Sequence, residues 1–315
     1  MNTNRLSKDA KIYIAGHTGL VGSSLWRHMT DQGFTNLVGR THQELELTDR
    51  RRVEDFFDAE KPEAVILAAA KTGGIHANNT YPAEFLFQNL AIQTNVIDAA
   101  YRHGVKKFVF LGASCMYPRA AGQPIAETAL LSGELEPTNE AYAIAKISGV
   151  KMCEAYRKQH GYSAVTLVPT NVYGPGDNFD PDDSHVIAAL MMRAHQAKQS
   201  NAPELTVWGT GTPLREFMYV DDLARAVLFC LENYDAPEPV NIGIGTETSI
   251  ADLAAMICDV VGYHGTLEFD PSKPDGMPRK SLDTGRLHAL GWRAETPLKE
   301  GLEKTYRWFR ETTNG

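Results

Sequence analysis

The string Gly16-His17-Thr18-Gly19-Leu20-Val21-Gly22 follows a short apolar run at residues 12–15 and opens an amphipathic stretch that reads as a helix from about residue 20 to 32. Few folds place glycines at the spacing G-x-x-G-x-x-G between a strand and a helix. One glycine permits the tight turn, another lets the backbone approach a pyrophosphate, and the open N–H groups of the helix N-terminus face its charge. Glycines also serve plain strand-to-helix turns, so it is the position after the first strand that marks this one as a dinucleotide loop. Gly16, Thr18, Gly19, Leu20, Val21 and Gly22 are the residues it assigns to a cofactor.

Further apolar runs lie at residues 36–38, 64–69, 107–111 and 164–168, separated by helical patterns. Runs that are apolar on both faces belong in a parallel sheet covered on both sides. The expected fold class is α/β, a Rossmann-type doubly wound parallel sheet with a smaller C-terminal substrate-binding lobe. Residues 1–172 are expected to form the dinucleotide-binding domain, completed by returning segments near 216–245 that include a helix at 221–231. Residues 173–315 are expected to form mainly the smaller lobe, with a helical stretch at 185–199, a short strand at 205–207 and a loop-rich section at 263–293. A ligand is expected between the lobes, near the carboxyl ends of the strands.

With 43% hydrophobic and 22% charged residues the chain has the composition of an ordinary globular protein. Its net charge of −8 argues against a general nucleic-acid surface but permits a local basic pocket for an anion. Cys115, Cys153, Cys230 and Cys258 are widely separated and lack metal-type spacing, so neither a metal site nor a disulfide framework is expected. The polar N-terminal stretch, and the lack of an apolar segment long enough for a signal peptide or a membrane span, read as a cytoplasmic protein without membrane contact.

The second strand ends in Gly39-Arg40-Thr41-His42, without the acidic residue that would accept the ribose 2′-hydroxyl of NAD. Arg40 suits a 2′-phosphate instead and points to NADP, the plainer reading being a solvated surface charge. In Leu47-Thr48-Asp49, Asp49 is placed where its side chain meets the adenine, with Leu47 beside it. Tyr142 and Lys146 stand four residues apart, on one helix face. An ammonium and an oxidised nicotinamide near the phenol favour the phenolate, which then exchanges a proton with a carbonyl or alcohol. Many helices carry such a pair by accident; a complete dinucleotide half before it gives this one its meaning.

Together these features resemble the extended short-chain dehydrogenase/reductase superfamily. The strings Ala68-Ala69-Ala70-Lys71-Thr72-Gly73-Gly74-Ile75, Ala77-Asn78-Asn79-Thr80-Tyr81-Pro82, Glu136-Pro137-Thr138-Asn139-Glu140 and Lys273-Pro274-Asp275-Gly276 are similar to those of GDP-L-fucose synthases, and the resemblance spans residues 11–309. It implies an NADPH-dependent enzyme that epimerises a GDP-linked 4-keto-6-deoxy sugar at C3 and C5 and then reduces it at C4. Both epimerisations need a base and an acid, and their carbons flank a ketone, so a stabilised enolate lets the protons leave. By resemblance Cys115 is the base, activated as thiolate by positive surroundings, and His185 the acid. Tyr142 then protonates the C4 oxygen, and Lys146 holds the nicotinamide ribose. Pro169, Asn171 and Val172 fall in a segment similar to the family's nicotinamide-side loop, and Ala69 and His185 complete the cofactor set.

For the sugar nucleotide, Arg193, Arg215, Arg279 and Lys280 supply cations to the diphosphate, Arg215 foremost because guanidinium groups pair bidentately with phosphate. The plainer reading of Arg215 is a surface charge paired with Glu216. Trp208 is expected over the nucleotide or sugar, and Asp275 to accept from sugar hydroxyls or guanine. The family implies a homodimer packed through the helix near 85–101 and the one carrying Tyr142.

One position departs from the pattern. The family's catalytic Ser or Thr, four residues before Tyr117, is Ala113 here. That hydroxyl bonds the ketone and enolate oxygen, a role worth roughly 2.7–4 kcal/mol in a comparable oxyanion hole. Ser114 is the candidate replacement, although on an extended segment its side chain would face the other way. The competing readings are an epimerase or reductase of a related GDP-keto-deoxy sugar, a weakly active variant, and a nucleotide-binding regulator that NADPH turnover would exclude.

Overall fold

The computed structural model describes residues 6–180, 184–273 and 275–313, so Pro274 of the fourth family-like string lies outside the described residues. Strands β1 (Ile12–Ala15), β3 (Ala64–Leu67) and β4 (Lys107–Leu111) are buried along their whole length, as their unbroken apolar runs demand. With β2 (Leu37–Val38), β5 (Ala164–Pro169) and β10 (Val240–Ile242) they form a six-stranded parallel sheet in the order β10-β5-β4-β3-β1-β2.

Alternation along the strands divides the core. Ile12 and Ile14 pack with Leu25 and Met29 of α1 (Leu20–Asp31) and with Leu223 and Val227 of α7 (Val220–Asn233). Tyr13 and Ala15 face the other way, onto Val53 of α2 (Arg50–Glu60), Val96 of α4 (Pro82–Arg102) and Val150 of α5 (Glu140–His160). The side-chain period of two in a strand requires this split. At Gly149 a Cβ would lie 2.3 Å from Phe110 Cζ, so the missing side chain lets α5 lie close on the sheet. Gly161, at φ +67°, ends that helix in the left-handed conformation.

The smaller lobe has its own core, built on α6 (Val186–Ser200), α8 (Ile250–Val261) and α10 (Leu298–Thr313). Beside them lie the parallel pair β7 (Glu204–Trp208) and β12 (Thr266–Asp270), and a three-stranded sheet of β8 (Leu214–Arg215), β11 (Thr248–Ser249) and β13 (Arg279–Lys280). The ribbon of β6 (Asn171–Tyr173) and β9 (Phe217–Tyr219) borders both cores: Val172 and Met218 pack with the sheet, whereas Tyr173, Phe217 and Tyr219 pack in the lobe.

The section at 263–293 is more ordered than its loop-rich reading, because it contains β12, β13 and the short helix α9 (Gly285–Ala289). Leu287 and Trp292 return to the core of the large sheet. Five helical residues are too few for an apolar period to register. No described helix is long and apolar enough to cross a membrane, and no described cluster of His, Cys, Asp or Glu is arranged to hold a metal.

Candidate active site

A cleft of about 1570 Å³ opens between the carboxyl ends of the sheet strands and the smaller lobe. It gathers every residue singled out from sequence except Asp49 and Arg279.

The glycine turn begins at Gly16, whose φ of +83° suits no larger residue and whose Cβ would lie 2.8 Å from Ala69 Cα. A Cβ on Gly22 would lie 2.0 Å from the Gly16 carbonyl oxygen. The first turn of α1 is therefore drawn against the loop, and no side chain caps it. This is the cradle a pyrophosphate needs. Arg40 lines the same cleft, pairs with Glu60, donates to the Gly39 carbonyl at 2.8 Å and lies over the Phe56 ring. It is a held cation rather than a solvated one, and these residues fit a 2′-phosphorylated dinucleotide.

Asp49 has a different task from the one its sequence position suggested. It caps α2, accepting from the backbone N–H groups of Arg51 and Arg52 at 2.9 and 3.2 Å, and does not line the cleft. Asp49→Ala is expected to lower stability by about 1 kcal/mol in a denaturant titration, with NADPH affinity unchanged. Arg279 is likewise displaced from the substrate set, since its guanidinium pairs with both Glu247 carboxylate oxygens at the surface.

On α5, Lys146 is buried and donates from Nζ to the Leu111 carbonyl at 2.9 Å, with the Tyr142 ring centroid 5.7 Å away. The expected lowering of the Tyr142 phenol rests on the Lys146 ammonium together with the oxidised nicotinamide, and the protein groups alone act the other way. Burial pushes it well above the usual phenol range, and burial also pulls the Lys146 amine down to about 8. Tyr142 is thereby kept as a proton donor.

Cys115 and Ser114 lie on a 3₁₀ turn, Ser114–Met116. Burial raises the Cys115 thiol, and the anticipated positive surroundings, Lys280 and Lys146, act against that rise. The extended geometry expected at Ser114 ends at Ala113, and the turn brings Ala113 and Ser114 together onto the cleft wall. The Ser114 hydroxyl makes no hydrogen bond to the described residues, which leaves it available to a ligand oxygen. His185 sits at the N-cap of α6, half-exposed, with Nδ1 3.6 Å from the buried Asp177 carboxylate.

From the lobe, Arg215 donates to the carbonyls of Leu214 and Asp275 and has no carboxylate partner among the described residues. Glu216, the partner proposed for it on the plainer reading, turns inward. It is completely buried and accepts from the N–H groups of Ile244, Gly245 and Leu282 at 2.5, 2.8 and 3.0 Å. Its own backbone carbonyl accepts from Thr170 Oγ1 and Asn171 Nδ2. The half-exposed Trp208 carries the Arg193 guanidinium 4.8 Å from its ring centroid. The Asp275 carboxylate is already engaged by Thr210 N and Oγ1 at 2.7 and 2.8 Å, so it shapes the cleft wall instead of waiting open for guanine. Lys280 on β13 lines the cleft near Cys115. Glu216, Asn78 and Asn139 went unassigned from sequence, the two asparagines appearing only within family-like strings.

Fold and site define a dinucleotide-dependent enzyme of sugar nucleotides, and the chain belongs to the NAD dependent epimerase/dehydratase family, whose profile matches residues 12–243. It is 59% identical over 302 residues to GDP-L-fucose synthase 1 of Arabidopsis thaliana, covering 96% of this chain and 94% of that one. It is 52% identical over 310 residues to the GDP-L-fucose synthase of Escherichia coli (strain K12), covering 96% and 97%. The solved structure of a GDP-L-fucose synthetase from Naegleria fowleri bound to NADP matches with a TM-score of 0.91 at 29% identity, over 98% of this chain and 96% of that chain.

Proposed function

We propose that the chain catalyses the NADPH-dependent 3,5-epimerisation and 4-reduction of GDP-4-keto-6-deoxy-D-mannose to GDP-L-fucose. The observation that carries this reading is one cleft in which Tyr142, Lys146, Cys115 and His185 face a glycine cradle on one side and Arg193, Arg215 and Lys280 on the other.

The lobe cations receive the diphosphate, and Trp208 covers the nucleotide or sugar. Cys115 removes the C3 and C5 protons in turn and His185 returns a proton to the opposite face of each carbon. Between the two carbons Cys115 gives its proton to water and His185 takes one up, and Lys280 and Lys146 oppose the rise that burial imposes on the thiol. The enolate oxygen at C4 accepts from Tyr142 and, in place of the missing residue-113 hydroxyl, from Ser114. NADPH, when bound, supplies hydride to C4. Tyr142 gives its proton to the C4 oxygen as the carbonyl becomes an alcohol, and Lys146 holds the ribose side of the site.

The protein acts in the cytoplasm, where its four free cysteines stay reduced. It acts as a homodimer through α4 and α5, whose side chains Phe87 and Ile144 are exposed apolar groups on neighbouring helices.

NADPH consumption with GDP-4-keto-6-deoxy-D-mannose, with the product identified by NMR, tests the reading. Appearance of GDP-L-fucose is the expected result. A reduced product that keeps its C3 and C5 configuration would move the chain to a plain 4-reductase, and no consumption would remove the substrate. A full oxyanion donor is worth about 10²–10³ in rate, and Ser114 supplies part of that, so Ala113→Ser is expected to be about tenfold faster.

A further inference from the structure

Among the described residues the buried side-chain atoms without a hydrogen-bond partner are His17 Nδ1, Asn78 Oδ1, Asn139 Oδ1, Tyr162 Oη and Ser184 Oγ. Native proteins pair nearly all such atoms, so each exception calls for a reason. Asn78, Asn139 and Ser184 line the cleft.

Asn78 lies on the short helix α3 (Ile75–Thr80) and is more than nine-tenths buried. Its Nδ2 donates to the carbonyls of Gly73 and Gly74 at 2.8 and 2.9 Å. Both donors are used, so a flipped amide would set carbonyl against carbonyl; Oδ1 is a fixed acceptor that is buried without a partner. Asn139 occupies the N-cap of α5, where an asparagine side chain ordinarily accepts from the first-turn N–H groups. Here it makes no cap bond, and that capacity is left for something else.

The two acceptors share a wall, because α3 packs against the turn Pro137–Asn139, which leads into the helix of Tyr142. That wall borders the lobe side of the cleft. A Cβ on Gly276 would lie 3.4 Å from Arg215 Nη2 and 4.0 Å from Ile75 Cδ1, so the start of α3 is a neighbour of the phosphate-directed arginine. Carbonyl oxygens repel phosphate and need a donor; a sugar ring beside a diphosphate offers hydroxyls.

We infer that Asn78 and Asn139 form the hydroxyl-reading wall of the hexose subsite, each accepting a hydrogen bond from a ring hydroxyl of the GDP-linked sugar. This rests on the sugar-nucleotide reading above. A buried acceptor that meets no hydroxyl stays unsatisfied, so the wall favours a hydroxylated hexose over a deoxygenated one.

Calorimetric titration of the NADP-loaded protein with GDP and with GDP-mannose tests it. In Asn78→Ala and Asn139→Ser the affinity ratio of GDP-mannose over GDP is expected to fall about tenfold, with GDP and NADP affinities unchanged. Serine is a good N-cap, so Asn139→Ser folds even where loss of the Gly73 and Gly74 bonds unsettles Asn78→Ala. An unchanged ratio overturns the inference, and so does a parallel loss of GDP or NADP affinity, which marks a structural role. If the ratio falls but the wild-type protein does not turn over the 4-keto sugar, the wall stands and the fucose reading fails. A wild-type protein that binds neither GDP ligand overturns both.

Discussion

Tyr142→Phe is expected to lower the rate of NADPH-dependent reduction by about 10²–10⁴, while NADPH affinity is unchanged. The phenylalanine ring keeps the edge contact with Phe85, and Lys146 keeps its bond to the Leu111 carbonyl, so only the proton donor is lost. Deuterium exchange at C3 and C5 of the sugar should persist at a reduced level, because Cys115 and His185 remain and Ser114 still meets the C4 oxygen. The wild-type kcat/KM, which reports the free enzyme, should fall on the alkaline side near pH 8. Burial lowers the Lys146 amine to about 8, so the ammonium is present below that pH and lost above it, and Tyr142 stays protonated throughout. A Tyr142→Phe protein that reduces at the wild-type rate would move the proton source to another residue, His185 first.

Glu216→Ala should be the most destabilising of the substitutions considered. The carboxylate gathers three backbone N–H groups from two separate segments, around Ile244 and Leu282, and truncation leaves those donors with nothing to meet. At about 1–3 kcal/mol for each stranded donor, the loss is a large share of the 5–15 kcal/mol that holds a typical domain together. Urea denaturation should show a sharply lowered midpoint, with Glu216→Gln falling between the two because its amide keeps one acceptor oxygen. A midpoint close to wild type for Glu216→Ala would mean that water or a shifted backbone takes up the donors.

Much of this was legible in the residues, and the failures share a cause. The apolar runs of β1, β3 and β4 announced a sheet buried on both faces because burial is written in each strand's own side chains. The glycine turn announced its cradle for the same reason: the close approach of Gly22 to Gly16 is local. What other elements bring is not local. Asp49 read as a ligand group because a carboxylate near a cofactor segment looks the same whether it meets adenine or caps α2. Arg279 read as a phosphate cation because Glu247 is distant in sequence. Ser114 was misplaced by treating the strand as continuing past Ala113. The inward turn of Glu216 was within reach, since neighbours on an extended segment point to opposite faces and Arg215 already claimed the cleft. The protonation of Tyr142 and Cys115 was not, because depth of burial depends on the whole assembled cleft.

The cleft has one further property with consequences beyond chemistry. Lys146, Lys280 and Arg215 are drawn away from water, each with its pKa lowered mainly by burial, and among the described residues none has a carboxylate within ion-pair distance. A dianionic diphosphate entering beside them restores the field they lack. It should draw protons from solvent onto the lysines as it binds, most strongly where the medium is alkaline enough to have removed them. Binding of the sugar nucleotide is in that sense coupled to proton uptake, because the counter-charge for these cations comes from the ligand and not from the fold's own carboxylates.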